Sequence, residues 1–272
     1  MNPKKNKTWK YMKEISRKNY NKIKFERVSD GKFIEDNEEL TIIGKEIIKI
    51  LKDNINEKSI TFVDICGAPG NYSKLVLDNF NSNGIGISLP PEKGGVKFEM
   101  EEYENYDIKY KDILNDKIDI PKINLGIASC ISYEISNKNA FQLNLKLILT
   151  SLLHLLDNLK KGGNIVINLT IKNINFAFNI VFILSKLFKK NSIWKSSKVW
   201  PDKNTFYFFG FDYNYDVKYY EKIKELLENL KQDSFMRNIY FNKVLMNNSN
   251  FKIIDDKMNK IYQVKIDYFL NL

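Results

Sequence analysis

Histidine and cysteine are nearly missing from this chain: His154 is the only histidine, and Cys66 and Cys130 are the only cysteines. A structural zinc site needs three or four such ligands at short spacing, so no metal is expected, and two distant cysteines give no disulfide framework. Such a composition suits a reducing compartment and places the protein inside the cell, in the cytoplasm. Long apolar runs are also lacking. Behind the polar start Met1-Asn-Pro-Lys-Lys-Asn-Lys there is no signal core, so no leader is expected. The most apolar stretch, Ile174 to Phe188, carries Asn175, Asn179, Ser185 and Lys186. It falls short of the roughly 20 residues that span a bilayer, so it reads as a buried helix and no membrane partner is expected.

What is present is enough for one substantial core. At 272 residues, with 43% hydrophobic and 13% aromatic side chains, the chain is globular, and a single α/β domain with extensions is expected. Lys and Arg number 43 against 33 Asp and Glu, a formal charge of +10, which favours polyanions and nucleic acid first. The same lysines, in a chain also rich in Asn and Ile, are equally explained as solvated surface.

The stretch Ile60-Thr-Phe-Val-Asp64-Ile-Cys-Gly67-Ala68-Pro69-Gly70-Asn-Tyr72-Ser73 organises the rest. A short β-branched and aromatic run predicts a buried strand, and Leu75, Val76 and Phe80 at helical spacing predict a helix, capped by Asn71 or Ser73. Gly67 and Gly70 let a ligand approach the backbone between the two. The turn has no Lys-Ser/Thr pair and no three-glycine spacing, which excludes a phosphate loop and a dinucleotide fingerprint. An acid at the strand's end, Asp64, can meet a cationic ligand or brace the loop amides. A tight turn in an unrelated α/β protein would also show this spacing, but the strand before it, the helix after it and Pro69 inside it favour an S-adenosylmethionine loop.

Taken in order, residues 1–37 form a basic extension with Trp9, Tyr11, Tyr20 and Phe25 among the cations. They either stack on bases while the cations neutralise phosphates, or form a helix that packs its aromatics on the core. From Asp36 a helix presents Leu40, Ile43, Ile47, Ile48 and Leu51 on one face. Strands are expected at 60–65, 84–89 (broken by Pro90-Pro91), 107–114, 123–131, 164–169 and 206–211. A Leu-rich helix fills 139–161, closed by Gly162-Gly163, and a Lys/Glu-rich helix fills 216–232. The tail offers two alternating runs, around Ile253 and Val264, without a clear role. Strands alternating with helices predict a Rossmann-like, mostly parallel sheet covered on both faces, spanning 38–232, with 233–272 as a C-terminal extension.

With this order of elements the chain resembles the FtsJ-like RNA 2′-O-methyltransferases, especially the cap-specific type. The residues that carry the resemblance are Asp64 to Ser73, Gly84-Ile-Gly-Ile-Ser-Leu89, the Leu-rich helix, Gly162-Gly163 and Pro201 before an aromatic strand. It implies an S-adenosylmethionine-dependent methyltransferase fold, with the cofactor held by Asp64, Gly67, Ala68, Pro69, Gly70 and Tyr72, and its adenine by Asp112. It also implies RNA, including capped mRNA, as substrate. The family's Lys-Asp-Lys-Glu tetrad would activate a ribose 2′-hydroxyl. Lys45 matches the first lysine, but Ser129 stands at the aspartate, Asn168 at the central lysine and Asn204-Thr205 at the glutamate. Lys172, Glu134 and Asp202 are near these positions in sequence only. His154, mid-helix among leucines, reads as a half-buried helix histidine. The expectation is an RNA- and cofactor-binding subunit, impaired in catalysis, that assists a capping or RNA-modifying enzyme. The alternatives are an active methyltransferase with rearranged groups, and an interaction protein that binds neither ligand.

Overall fold

Side chains apolar on both faces make Ile60–Ile65 a central strand, β1. In the computed structural model, which describes residues 3–28, 37–100, 102–130, 138–230 and 248–271, the strands and helices follow one another along the chain. Before β1 come α1 (Lys7–Val28) and α2 (Asn37–Lys52). After it come α3 (Asn71–Asn79), β2 (Ser82–Ser88), β3 (Tyr106–Tyr110), β4 (Ile123–Ala128) and α4 (Lys138–Asn158). The remainder is β5 (Leu159–Thr170), α5 (Ile174–Leu187), β6 (Phe188–Trp194), β7 (Thr205–Tyr213), α6 (Val217–Asn229) and α7 (Asn248–Leu270). The strands form one sheet in the order β3-β2-β1-β4-β5-β7-β6, parallel except that β7 runs against both β5 and β6.

The strands β1, β4, β5 and β7 face two cores. Val63, Ile65, Ile165 and Ile167 point into one, filled by Leu149 and Leu152 of α4, Phe178 of α5 and Ile223 of α6. Phe62, Leu125, Ile127 and Val166 point into the other, beneath Ile43, Ile47 and Leu51 of α2 and Val76 of α3. This is the α/β, Rossmann-like methyltransferase architecture expected from the alternation. The first core continues into both chain ends: Met12 and Ile15 of α1 join Phe251, Ile254, Met258 and Ile261 of α7. The Asn6 amide ties the pair by donating to Asp255 Oδ1 (2.7 Å) and Asn259 Oδ1 (2.9 Å).

Several elements differ from the sequence expectation. Gly162 and Gly163 do not close α4. The helix ends at Asn158, and the glycines lie inside β5, where Gly162 takes φ +82° and the pairing with β4 slips between Ile123 and Leu125. The edge strand β6 was not expected, because Phe188-Lys-Lys-Asn-Ser-Ile-Trp194 lacks an apolar alternation; exposed lysines are how an edge strand avoids pairing with another chain. The two tail runs are one helix, whose buried Phe251, Ile254, Met258, Ile261, Tyr262, Ile266 and Phe269 repeat every three or four residues. Cys66 and Cys130, expected to be unlinked, form a disulfide. They follow β1 and β4, parallel neighbours in register from Phe62↔Leu125 to Ile65↔Ala128, so strand pairing brings together residues that are distant in sequence. Among the described residues no helix is long and apolar enough to cross a membrane, and no group of three or more His, Cys, Asp and Glu can hold a metal.

Candidate functional site

At the carboxyl end of β1 the chain turns through Cys66 (φ 60°), Gly67, a cis Ala68-Pro69 peptide and Gly70 (φ 116°) into α3. Asp64 lies beneath this turn, fully enclosed. Its Oδ2 accepts a hydrogen bond from the Ser73 hydroxyl at 2.8 Å, and that hydroxyl also meets the Tyr106 hydroxyl at 2.8 Å. Ser73 is therefore a brace under the loop and not a helix cap; the cap position is Gly70, with no side-chain bond. Asp64 Oδ1 has no partner among the described residues. Burial pushes the Asp64 carboxyl up to about 7, against the pull of Ser73.

The glycines follow from this packing. A Cβ on Gly67 would stand 2.6 Å from Asp64 Cγ, so the loop can rest on the acid only without a side chain. A Cβ on Gly70 would stand 2.5 Å from Met100 Sδ, in a backbone conformation that L residues rarely adopt. The segment that carries Met100 is fastened to the loop: Glu99 donates its backbone N–H to the Pro69 carbonyl at 2.9 Å. Tyr72, at the start of α3, crosses to β7, where its hydroxyl meets that of Tyr207 at 2.7 Å; Trp194 of β6 stacks behind Tyr207. Beyond β3, Asp112 holds its own turn, accepting from Leu114 N–H and the Asn115 amide at 2.9 and 2.7 Å.

The fold brings two of the proposed tetrad positions together. The Asn168 amide, near the end of β5, donates to Ser129 Oγ, just past β4, at 3.1 Å. Asn168 Oδ1 is buried without a partner among the described residues. Asn168 pairs across the sheet with Tyr207, and two rows on Thr170 pairs with Thr205. Asn204 and Thr205 look elsewhere: Asn204 Oδ1 accepts from Lys265 at 2.8 Å, and the Thr205 carbonyl accepts from Lys195 at 3.0 Å. Lys45 is exposed on α2, and no hydrogen bond joins it to Ser129, Asn168 or Thr205 among the described residues. Its neighbour Glu46 accepts from the Ser196 hydroxyl at 3.0 Å, which packs α2 against the loop after β6. Lys172 lies exposed just past β5, and the His154 ring faces the Ile113 carbonyl at 3.4 Å. Glu134 lies outside the described residues.

Sequence reasoning missed Lys195 and Lys265. Lys195 is buried and donates to the carbonyls of Trp200, Lys203 and Thr205 at 3.0 to 3.1 Å, fixing the loop that leads into β7. Burial, and after it the charge of Lys265, bring the Lys195 amine down to about 7. Burial brings Lys265 down to about 8, although the Asp202 carboxylate favours its charged form. Nothing marks Lys195 among so many lysines. Lys265 did carry a signal, since it occupies an apolar position of α7 between Ile261 and Phe269.

No curated protein matches this chain in sequence. Among solved structures, a ribosomal RNA methyltransferase from Plasmodium falciparum is 16% identical, covering 62% of this chain and 96% of its own, with a TM-score of 0.48. An rRNA methylase from Streptococcus thermophilus is 14% identical over 62% of this chain and 95% of its own, with a TM-score of 0.44. Human methyltransferase-like protein 13, solved with SAH, is 12% identical over 72% and 89%, with a TM-score of 0.38. From the site helix α2 to the end of β7, residues 45–213 match the model of the FtsJ-like methyltransferases, and since that is more than half of the chain, it belongs to this family.

Proposed function

We propose that this protein binds S-adenosylmethionine and RNA and transfers the methyl group poorly or not at all, serving as a non-catalytic subunit in RNA capping or modification. S-adenosylmethionine is the family's cofactor, and the residues present suit it. The two orphaned atoms at the strand ends, Asp64 Oδ1 and Asn168 Oδ1, are both acceptors, and buried acceptors without a donor suit a ligand that carries positive charge. Gly67 keeps the loop close over Asp64, Gly70 makes the left-handed turn into α3, Tyr72 walls the loop toward β7, and Asp112, beyond β3, would hold the adenine. The cofactor would supply an electrophilic methyl group. The chain would have to orient a ribose hydroxyl and accept its proton.

The observation that carries the impaired reading is the Asn168–Ser129 hydrogen bond. Asn168 Oδ1 can accept from a ribose hydroxyl and hold it in place. Neither an amide nor a serine hydroxyl without a base can take up the proton, and a positioned general base is worth about 10²- to 10⁴-fold in rate.

A second reading, an active enzyme with rearranged groups, draws support from Lys195 and Lys265, two amines lowered toward neutrality near the start of β7. Against it, all three Lys195 donors are committed to backbone carbonyls, which favours the charged amine. Calorimetry with S-adenosylmethionine, followed by gel shift with single-stranded and capped RNA, tests the proposal. Saturable binding of both ligands is expected. Binding of neither would leave an interaction protein and overturn the proposal.

A further inference from the structure

The family match begins at Lys45, so α1 lies outside it, yet α1 is fixed to the body through Met12, Ile15 and Asn6. The opposite face of α1 is exposed and carries Lys7, Lys10, Lys13, Arg17 and Lys18. Glu14, the acid in the first half of the helix, is taken by Lys18 at 2.9 Å. Two aromatics sit among the cations. Tyr11 is half exposed, and the half-buried Trp9 ring lies under the Lys13 amine, 4.8 Å from its centroid. A shallow groove of about 390 Å³ runs along Trp9, Lys10, Lys13, Glu14, Arg17 and Lys18.

From this placement we infer that the exposed face of α1 is a docking surface for single-stranded RNA, an inference that rests on the RNA-binding reading above. Lys10, Lys13 and Arg17 lie three and four residues apart, on one side of the helix and about 10 Å from first to last. That spacing follows a flexible phosphate backbone, while Tyr11 and the edge of Trp9 offer flat apolar surface to unstacked bases. Met12 and Ile15 make the packing contacts of the helix, so Lys10, Lys13 and Arg17 stay on the outer face, open to a partner. Three cations on one rigid helix neutralise phosphates without paying to order a flexible tail.

The test compares two triple variants of the full chain, each with the same total charge. One carries Lys10→Ala, Lys13→Ala and Arg17→Ala. The other carries Lys58→Ala, Lys117→Ala and Lys160→Ala, exposed lysines elsewhere on the chain. Binding of a fluorescein-labelled 20-nucleotide single-stranded RNA is followed by anisotropy from 0.05 to 0.5 M salt, with thermal melting to verify folding. Each phosphate contact on a single strand contributes about 0.7 to the slope of log affinity against log salt. The α1 variant is expected to lose about two units of slope and about 100-fold in affinity near 0.1 M salt, and the other variant much less. Equal losses in both, or no loss in the α1 variant, would overturn the docking surface while leaving RNA binding intact. A wild-type chain that binds no RNA would overturn the RNA-binding reading as well.

Discussion

Replacing Asp64 with asparagine keeps the shape of an enclosed side chain and removes its titration. Burial raises this carboxyl from 3.8 to about 7. Between those values the folded chain holds a proton that the unfolded chain has released. Stability from this group is therefore fully present below about pH 4 and is lost as pH rises through about 7. At about 1.4 kcal/mol per pH unit the full swing is at most about 4 kcal/mol. Urea unfolding followed by tryptophan fluorescence, from pH 4.5 to 8, gives the difference in stability between wild type and Asp64→Asn. The wild type is expected to lose its advantage steadily up to about pH 7, where the difference levels off. A cationic cofactor favours the carboxylate, so at pH 6 its binding should release a proton, seen as a heat that changes with the ionisation enthalpy of the buffer. A stability difference that is constant across the range would refute the reasoning, because Asp64 would then ionise as if in water.

Other substitutions probe the loop, the disulfide and the buried lysines. Gly70→Ala places a side chain at φ 116° against Met100, which costs about 1–2 kcal/mol for the backbone and about 1–3 for the overlap; a melt and a cofactor titration should both register it. Replacing Cys66 and Cys130 with serine opens a crosslink between positions 64 apart, with an expected loss of about 4 kcal/mol in denaturant under non-reducing conditions. Lys265 is lowered to about 8, so between there and its ordinary 10.5 the unfolded chain binds more protons and wild-type stability rises with pH. Lys265→Met should make that alkaline rise shallower in unfolding titrations, leaving the part that comes from Lys195.

Much of the fold was legible because β1 and the helices around it have simple patterns: β1 is a short run of Ile60, Phe62, Val63 and Ile65 broken only by Thr61 and Asp64, and α2 and α4 repeat apolar residues every three or four positions. The loop was legible because Gly67 and Gly70 are dictated by local geometry, the acid below one and the left-handed turn at the other. What escaped depends on distant partners. Cys66 meets Cys130 only through strand pairing, and β6 is a strand only because β7 offers it a ladder. Ser73 looked like a cap until the structure placed Asp64 beneath it. Lys195 and Lys265 depend on the carbonyls and the Asn204 amide around them, which no local pattern announces. The pairing of Asn168 with Ser129 lies between: each position could be read from its strand, and only the folded sheet shows that they bond to each other.

The proposed function holds the cofactor and the RNA beside groups that cannot take up a proton. Its most direct test is single-turnover transfer from labelled S-adenosylmethionine to RNA, with both ligands at concentrations that calorimetry and gel shift show to be saturating. Wild type is compared with the Ser129→Asp, Asn168→Lys double variant. Little or no transfer is expected from wild type, and a gain of about 10²-fold or more from the double variant, which sets an acid and an amine at these two positions. Rapid wild-type transfer that the double substitution leaves unchanged or weakens would contradict the proposed function.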